Sequence, residues 1–290
     1  MHPTTRPRRS VLYMPGSNPR ALEKARTLAA DGLILDIEDA VAPDQKAAAR
    51  DNVVAASRQG YGRREVLIRV NGLGTPWGLA DLHAAANANA DGVLLPKVET
   101  VEELRTASAA LDAGGAPPTL PLWCMIETPL GVIRASELAA EPRVAGLVMG
   151  TSDLAKELRC AHTPGREPFF TAFGATILAG RAYGLAVLDG VHLDLEDAAG
   201  LEAACRQGRD FGFDGKTLIH PKQLEAANAV FAPAEAELAH AERVIAAFAE
   251  AEAQGRGVVL LDGRLVENLH VAVARRLLET ASAIRRAAEA

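Results

Sequence analysis

The sequence predicts a (β/α)8 barrel of the TIM type with a C-terminal helical arm, on three observations. Eight short apolar runs alternate with amphipathic stretches along most of the 290 residues. Most of the runs are apolar on both alternating faces, as parallel strands covered on two sides must be. Polar and charged residues stand where the runs end, and in a barrel those C-terminal ends converge on one mouth. A doubly wound open sheet would absorb the same units but would gather such residues only at a switch point.

The strand signals, in order, are Ser10–Pro15, Gly32–Ile37, Val66–Val70, Gly92–Pro96, Pro121–Ile126, Gly146–Met149, Ala186–Leu188 and Lys216–Ile219. Asn18-Pro19 opens the first helix with a capping side chain and a proline at the first helical position. Thr100-Val101-Glu102-Glu103 carries the capping-box pattern of another. Further helices are expected over Pro43–Arg58, Gly78–Asn89, Pro129–Ala140, Glu167–Tyr183, Asp197–Phe211 and Pro221–Phe231. The barrel domain therefore spans 8–231. Residues 232–290 form an arm or lid: a helix over 233–254, a break at Gly255-Arg256-Gly257, a strand-like run Val258–Leu261, a turn at Asp262-Gly263 and a closing helix from about Val266.

Composition narrows the function. With 49% apolar and 23% charged residues the chain reads as a soluble globular protein, large enough to bury a core without disulfides. A net charge of −6 with dispersed Lys and Arg gives no nucleic-acid footprint. No stretch approaches a membrane span, and no signal-peptide core follows Arg9. The three cysteines, Cys124, Cys160 and Cys205, lie far apart in no metal-ligand spacing, which suits a reducing, cytoplasmic setting. There is no Walker A loop, no dinucleotide fingerprint and no serine nucleophile elbow.

The strand ends carry the chemistry: Asp36-Ile37-Glu38-Asp39, Arg69-Val70-Asn71-Gly72, Pro96-Lys97, Glu127-Thr128, Gly150-Thr151-Ser152-Asp153, Asp189-Gly190 and His220-Pro221. Carboxylates crowded at one mouth repel unless a cation intervenes. Mg2+ needs only one or two of them and keeps water or substrate oxygens elsewhere, so Glu127 and Asp153, on adjacent strands, are the candidate metal ligands; ion pairs with Arg or Lys are the alternative. Arg69 suits a substrate carboxylate or a developing enolate oxygen, or else pairs with Asp36 or Glu38. Lys97 could form a Schiff base with a ketone, contact phosphate or carboxylate, or pair with the acidic end of the second strand. His220 stands where barrels often bind phosphate, or is satisfied by neighbouring backbone.

Seven segments appear in order: Ser10–Gly16 (SVLYMPG), Leu35–Val41 (LDIEDAV), Arg69–Asn71, Leu95–Lys97, Ile126–Thr128, Gly150–Leu154 (GTSDL) and Gly215–Pro221 (GKTLIHP). Together they resemble the citrate lyase β-subunit-like family within the wider HpcH/HpaI aldolase group, over about residues 8–275. The tail Gly257–Glu267 (GVVLLDGRLVE) most resembles the malyl-CoA lyase and (3S)-malyl-CoA thioesterase branch. The resemblance implies Mg2+ on Glu127 and Asp153, and Arg69 on a substrate oxygen. It implies Asp262 as an acid/base residue carried by the arm to a neighbouring subunit, and the Lys216–Pro221 loop on the CoA side. Ser152 stands where many members have asparagine. The implied assembly is a homotrimer or a multiple of it.

The implied activity is retro-Claisen C–C cleavage of a malyl-, citramalyl- or citryl-CoA-type thioester. Thioester hydrolysis by the same groups is the alternative, and a role on a carrier-protein thioester is a further one. Two rival readings are a CoA-independent Schiff-base aldolase using Lys97, and a non-catalytic binding protein on the same fold.

Overall fold

The computed structural model describes residues 6–288. Two compact units divide the chain, one of Arg8–Phe231 and one containing everything from Ala232 onward. The first unit runs β1 (Ser10–Pro15), α1 (Pro19–Lys24), β2 (Gly32–Asp36), α2 (Lys46–Arg58), β3 (Glu65–Arg69), α3 (Gly78–Ala86), β4 (Gly92–Leu95), α4 (Val101–Ala113) and β5 (Leu122–Ile126). It continues through α5 (Pro129–Ile133), α6 (Ala135–Ala139), β6 (Val144–Met149), α7 (Thr151–Leu158), α8 (Phe170–Ala182), β7 (Ala186–Asp189), α9 (Ala198–Phe211), β8 (Gly215–Leu218) and α10 (Leu224–Phe231). The eight strands close in sequence order, β1 to β8 and back to β1, every pair parallel. The expected barrel is the fold.

Local chemistry explains the helix starts. Asn18 caps α1 by accepting from the Ala21 amide at 3.1 Å. Thr100 and Glu103 form the expected reciprocal capping box of α4. Two expectations are corrected. The Pro129–Ala140 stretch is two short helices that break at Arg134, whose backbone leaves the helical region. Helix α7 was missing from the expected set: it is only 8 residues long and its segment is largely polar.

Alternation along the strands builds two cores. Outward residues such as Leu12, Leu33 and Ile68 pack under the helices. Inward residues, among them Val11, Ile34, Leu67, Leu94, Trp123, Met125, Val148 and Leu188, fill the barrel. Trp123 supplies the largest of these, and it does so because residue 146 on β6 is glycine: a Cβ there would collide with the indole ring. Below it, Arg8 stacks 5.3 Å from the Trp123 ring centroid and pairs with Glu65 at 2.5 Å. The barrel is thus a plugged cylinder, with the polar strand ends gathered at its C-terminal mouth.

The second unit consists of α11 (Glu235–Ala253), a two-stranded antiparallel ribbon of β9 (Val259–Leu261) and β10 (Arg264–Val266), and α12 (Asn268–Ala288). Its own small core joins Val244 and Phe248 of α11 to Val266, Val271 and Ala274. Strand β10 was not expected, because Arg264–Val266 reads without a break into the apolar start of α12. Among the described residues no helix is long and apolar enough to cross a membrane.

Candidate active site

Strand parity decides which polar groups share the mouth. Successive side chains alternate between faces. The parity that points Val11, Ile34, Leu67 and Met125 into the barrel therefore points Tyr13, Asp36, Arg69 and Glu127 into it one step nearer the C-terminal end. Asp36 (0% exposed), Arg69 (7%) and Glu127 (2%) are accordingly buried despite their charge.

Arg69 is held as a fork. Its Nε and Nη2 each donate to Asp36 at 2.7 Å, and its guanidinium lies 4.8 Å above the Tyr13 ring centroid. Nη1 lies 2.9 Å from Glu38 Oε2, yet that buried oxygen makes no hydrogen bond. The sequence alternative, pairing with Asp36 and Glu38, is thus realised, with Nη1 left facing the acidic loop. That loop is pinned from below: Lys46 Nζ donates to the carbonyls of Ile37 (3.0 Å) and Glu38 (2.7 Å), and Asn71 Nδ2 donates to Ile37 at 3.1 Å. The surrounding acids hold the Arg69 pKa well above its ordinary value although burial works against the charge.

Lys97 sits beyond β4 with a left-handed backbone, φ 52°, a conformation that costs a non-glycine residue about 1–2 kcal/mol. The twist has two consequences. The Lys97 amide donates to Glu127 Oε1 at 2.8 Å. The side chain folds over the carboxylates, its ammonium 2.7 Å from Glu38, 3.4 Å from Asp153 and 3.9 Å from both Glu127 and Asp39. Burial alone would lower the amine pKa, but the hydrogen bond to Glu38 and the fields of Glu127, Glu38 and Asp39 hold it above the ordinary lysine value. A protonated amine has no lone pair for a Schiff base, so the aldolase alternative finds no support in this geometry. Pairing with the acidic end of β2 is the arrangement present.

Burial pushes the Glu127 carboxyl up to about 7, reinforced by Glu38 and opposed by Lys97 and Arg69. Gly150, at the end of β6, makes room for that carboxyl: a Cβ at residue 150 would strike Glu127. Asp153 stands in the first turn of α7, where a negative charge is favoured by the helix dipole. Among the described residues no three His, Cys, Asp or Glu side chains are arranged as a complete metal cage. Mg2+ does not need one. Two carboxylates close to adjacent strand ends and their all-oxygen donor set fit that ion better than a softer metal.

The other expected residues have different surroundings. His220 Nδ1 accepts from the Lys222 amide at 3.1 Å, so the backbone-satisfied alternative holds for one ring nitrogen. Asp262 lies in the ribbon turn of the second unit at φ 50° and pairs with Arg243 of α11 at 2.6 Å. That bond keeps its carboxyl below the usual aspartate value. Sequence reasoning missed Tyr13, although its place at the end of β1 was a signal. It also missed the buried triad in which Asp189 accepts from Arg166 (2.7 Å) and Lys216 (2.8 Å). Nothing near Gly165-Arg166 in the chain announces that partner.

Comparison with known proteins identifies the family. Residues 9–221 match the family model described as HpcH/HpaI aldolase/citrate lyase. A (3S)-malyl-CoA thioesterase of Cereibacter sphaeroides (strain KD131 / KCTC 12085) is 53% identical over 279 residues, 96% of each chain. Citrate lyase subunit beta of Escherichia coli (strain K12) is 34% identical over 284 residues, 96% of this chain and 94% of its own. The crystal structure of protein CitE from Mycobacterium tuberculosis, in complex with magnesium, acetoacetate and coenzyme A, superposes with a TM-score of 0.79 at 30% identity, covering 94% of this chain and 97% of the other. A barrel closed in sequence order, acids and bases gathered at its mouth, and likeness over almost the full length lead to one conclusion: the chain belongs to the HpcH/HpaI aldolase/citrate lyase family.

Proposed function

We propose that this protein is a Mg2+-dependent enzyme acting on a malyl-CoA-type thioester, with Glu127 and Asp153 as metal ligands, Arg69 as the substrate-oxygen donor and Asp262 as the acid/base group. The observation that carries this reading is the convergence of Glu127, Asp153 and Arg69 on one mouth in a chain 53% identical to (3S)-malyl-CoA thioesterases. Mg2+, when bound, would supply a Lewis acid and a chelating point for the carboxylate and 3-hydroxyl of the acyl group. Arg69 offers Nη1 toward a developing oxyanion while Asp36 fixes the fork and Tyr13 its plane. Lys97 and His220 are candidates for the remaining carboxylate or phosphate contacts of the substrate.

Two outcomes share these groups. In hydrolysis, Asp262 removes a proton from water, the oxygen attacks the thioester carbonyl, the C–S bond breaks, and the proton passes to the leaving thiolate to give malate and CoA. In C–C cleavage, Asp262 takes the proton of the 3-hydroxyl as the bond between the hydroxyl-bearing carbon and its methylene neighbour breaks, giving glyoxylate and an acetyl-CoA enolate, and then returns that proton to the enolate carbon. The 53% identical relatives favour hydrolysis. The citrate lyase β subunits, at 33–35%, keep the lyase reading in play, including action on a carrier-protein thioester. Assembly as a trimer or a multiple of it, with the arm serving a neighbour, belongs to the same proposal. Incubating the protein with (3S)-malyl-CoA and Mg2+ tests it: free malate and CoA identify a thioesterase, acetyl-CoA and glyoxylate a lyase. Unchanged substrate would overturn both. Mixing Glu127→Gln with Asp262→Asn subunits tests the arm, since shared sites regain activity in the hybrid.

A further inference from the structure

We propose that Lys97 is the resident counter-cation of the mouth, and that a divalent ion entering between Glu127 and Asp153 has to displace its ammonium, so that Lys97 sets the metal affinity of the free enzyme. The inference rests on the reading of those two carboxylates as metal ligands and concerns a residue on neither side of the metal bonds.

The geometry carries it. The ammonium lies 3.4 Å from Asp153 Oδ2 and 3.9 Å from Glu127 Oε1, with Glu38 at 2.7 Å and Asp39 at 3.9 Å. One ammonium therefore touches four carboxylates, of which Glu38 and Asp39 also pair with Arg69 while Glu127 and Asp153 face Lys97. Mg2+ takes oxygens at about 2.0–2.1 Å, so an ion bound to Glu127 and Asp153 would draw on the same oxygens from inside the ammonium's shell. Two cations cannot share them without strong repulsion in a half-buried site.

Three further observations show how displacement is possible. The lysine side chain is 41% exposed, so it can swing into solvent without leaving a cavity. A compact ammonium on a flexible four-carbon stem suits such a retreat better than a guanidinium fork would. The part of Lys97 that orients Glu127 is its backbone amide, at 2.8 Å, and that bond survives when the side chain leaves. Arg69 contrasts with it: both bonds to Asp36 and the stacking on Tyr13 tie that cation down.

The test is Mn2+ binding to the full-length protein without substrate, read from the electron paramagnetic resonance of free Mn2+. Melting temperatures are recorded with and without the ion. Lys97→Met, which keeps the amide and an unbranched side chain one atom shorter, is expected to bind Mn2+ at least about tenfold more tightly than wild type, which corresponds to about 1.4 kcal/mol. It is also expected to melt lower when metal-free and to gain more on adding Mn2+. Lys97→Arg, which keeps the charge, is expected to stay within about threefold of wild type or to bind more weakly. Equal or weaker binding by Lys97→Met, with wild type binding normally, overturns the proposal. If neither wild type nor Lys97→Met binds Mn2+, the metal-ligand reading itself falls. A Lys97→Met protein that folds only when Mn2+ is present supports the proposal; one that folds under neither condition overturns it.

Discussion

Glu127 at the barrel mouth is 2% exposed and receives a backbone hydrogen bond of 2.8 Å, whereas Asp262 on the arm is 53% exposed and holds a single ion pair with Arg243. Burial drives the first carboxyl up to about 7; the exposed pair draws the second below its ordinary value. On the proposed function, the contrast separates two tasks that one reaction needs. A metal ligand has to be fixed in place, and the barrel fixes it at a cost in desolvation. A group that gives or takes a proton near a moving substrate has to be free to move, and a turn at a ribbon tip with one solvent-screened partner leaves it so.

Substitutions at the two places should therefore fail differently. Glu127→Gln is expected to bring Mg2+-dependent turnover to background. It should not destabilise the metal-free fold above neutral pH. The folded pKa of Glu127 lies above its ordinary 4.5, so the stability this group contributes is fully present below about 4.5 and lost as pH rises through about 7. Removing the charge should gain about 1–3 kcal/mol at pH 8, read by denaturant titration against wild type. Asp262→Asn is expected to lower kcat by about 10²–10⁴-fold, with Mn2+ affinity within about twofold of wild type and stability unchanged. Lost metal affinity in Asp262→Asn would erase the distinction between the two regions.

Arg69→Met sits on the mouth side of the comparison. It leaves Asp36 and Glu38 without their shared cation and should cost about 3–5 kcal/mol of stability, in addition to lost turnover; chemical denaturation with steady-state kinetics separates the two losses. A smaller effect concerns pH. Because the metal competes with a proton on Glu127, Mg2+ affinity should fall about tenfold for each pH unit below about 7, and calorimetry in buffers of different ionisation enthalpy should show proton release near neutrality. The smallest change is on the arm: Arg243→Ala removes the partner that lowers the Asp262 carboxyl, so the acid limb of the pH–rate profile should move upward while stability stays at the wild-type level.

The barrel was legible because each strand is a short apolar run, and because Asp36, Arg69 and Glu127 close runs whose parity continues to the mouth. What escaped has physical causes. Helix α7 is too short to show a period. Strand β10 is hidden by the apolar start of α12. Tyr13 stands inside the first apolar run, where an aromatic reads as core rather than as a platform for Arg69. The left-handed turn at Lys97 has no signature, since such backbone is usually marked by glycine or asparagine. Its pairing with four acids is set by tertiary closure alone. The acid/base role proposed for Asp262 rests wholly on family resemblance, because one exposed aspartate in a turn carries no chemical signal of its own.

The most direct test strips the protein of metal, returns Mg2+ in steps and follows (3S)-malyl-CoA consumption in wild type, Glu127→Gln and Asp153→Asn. Wild-type turnover is expected to be absent in EDTA and restored by Mg2+, while neither variant recovers at concentrations that saturate wild type. Full turnover in EDTA, or either variant matching wild type at the same Mg2+, would contradict the metal-ligand reading.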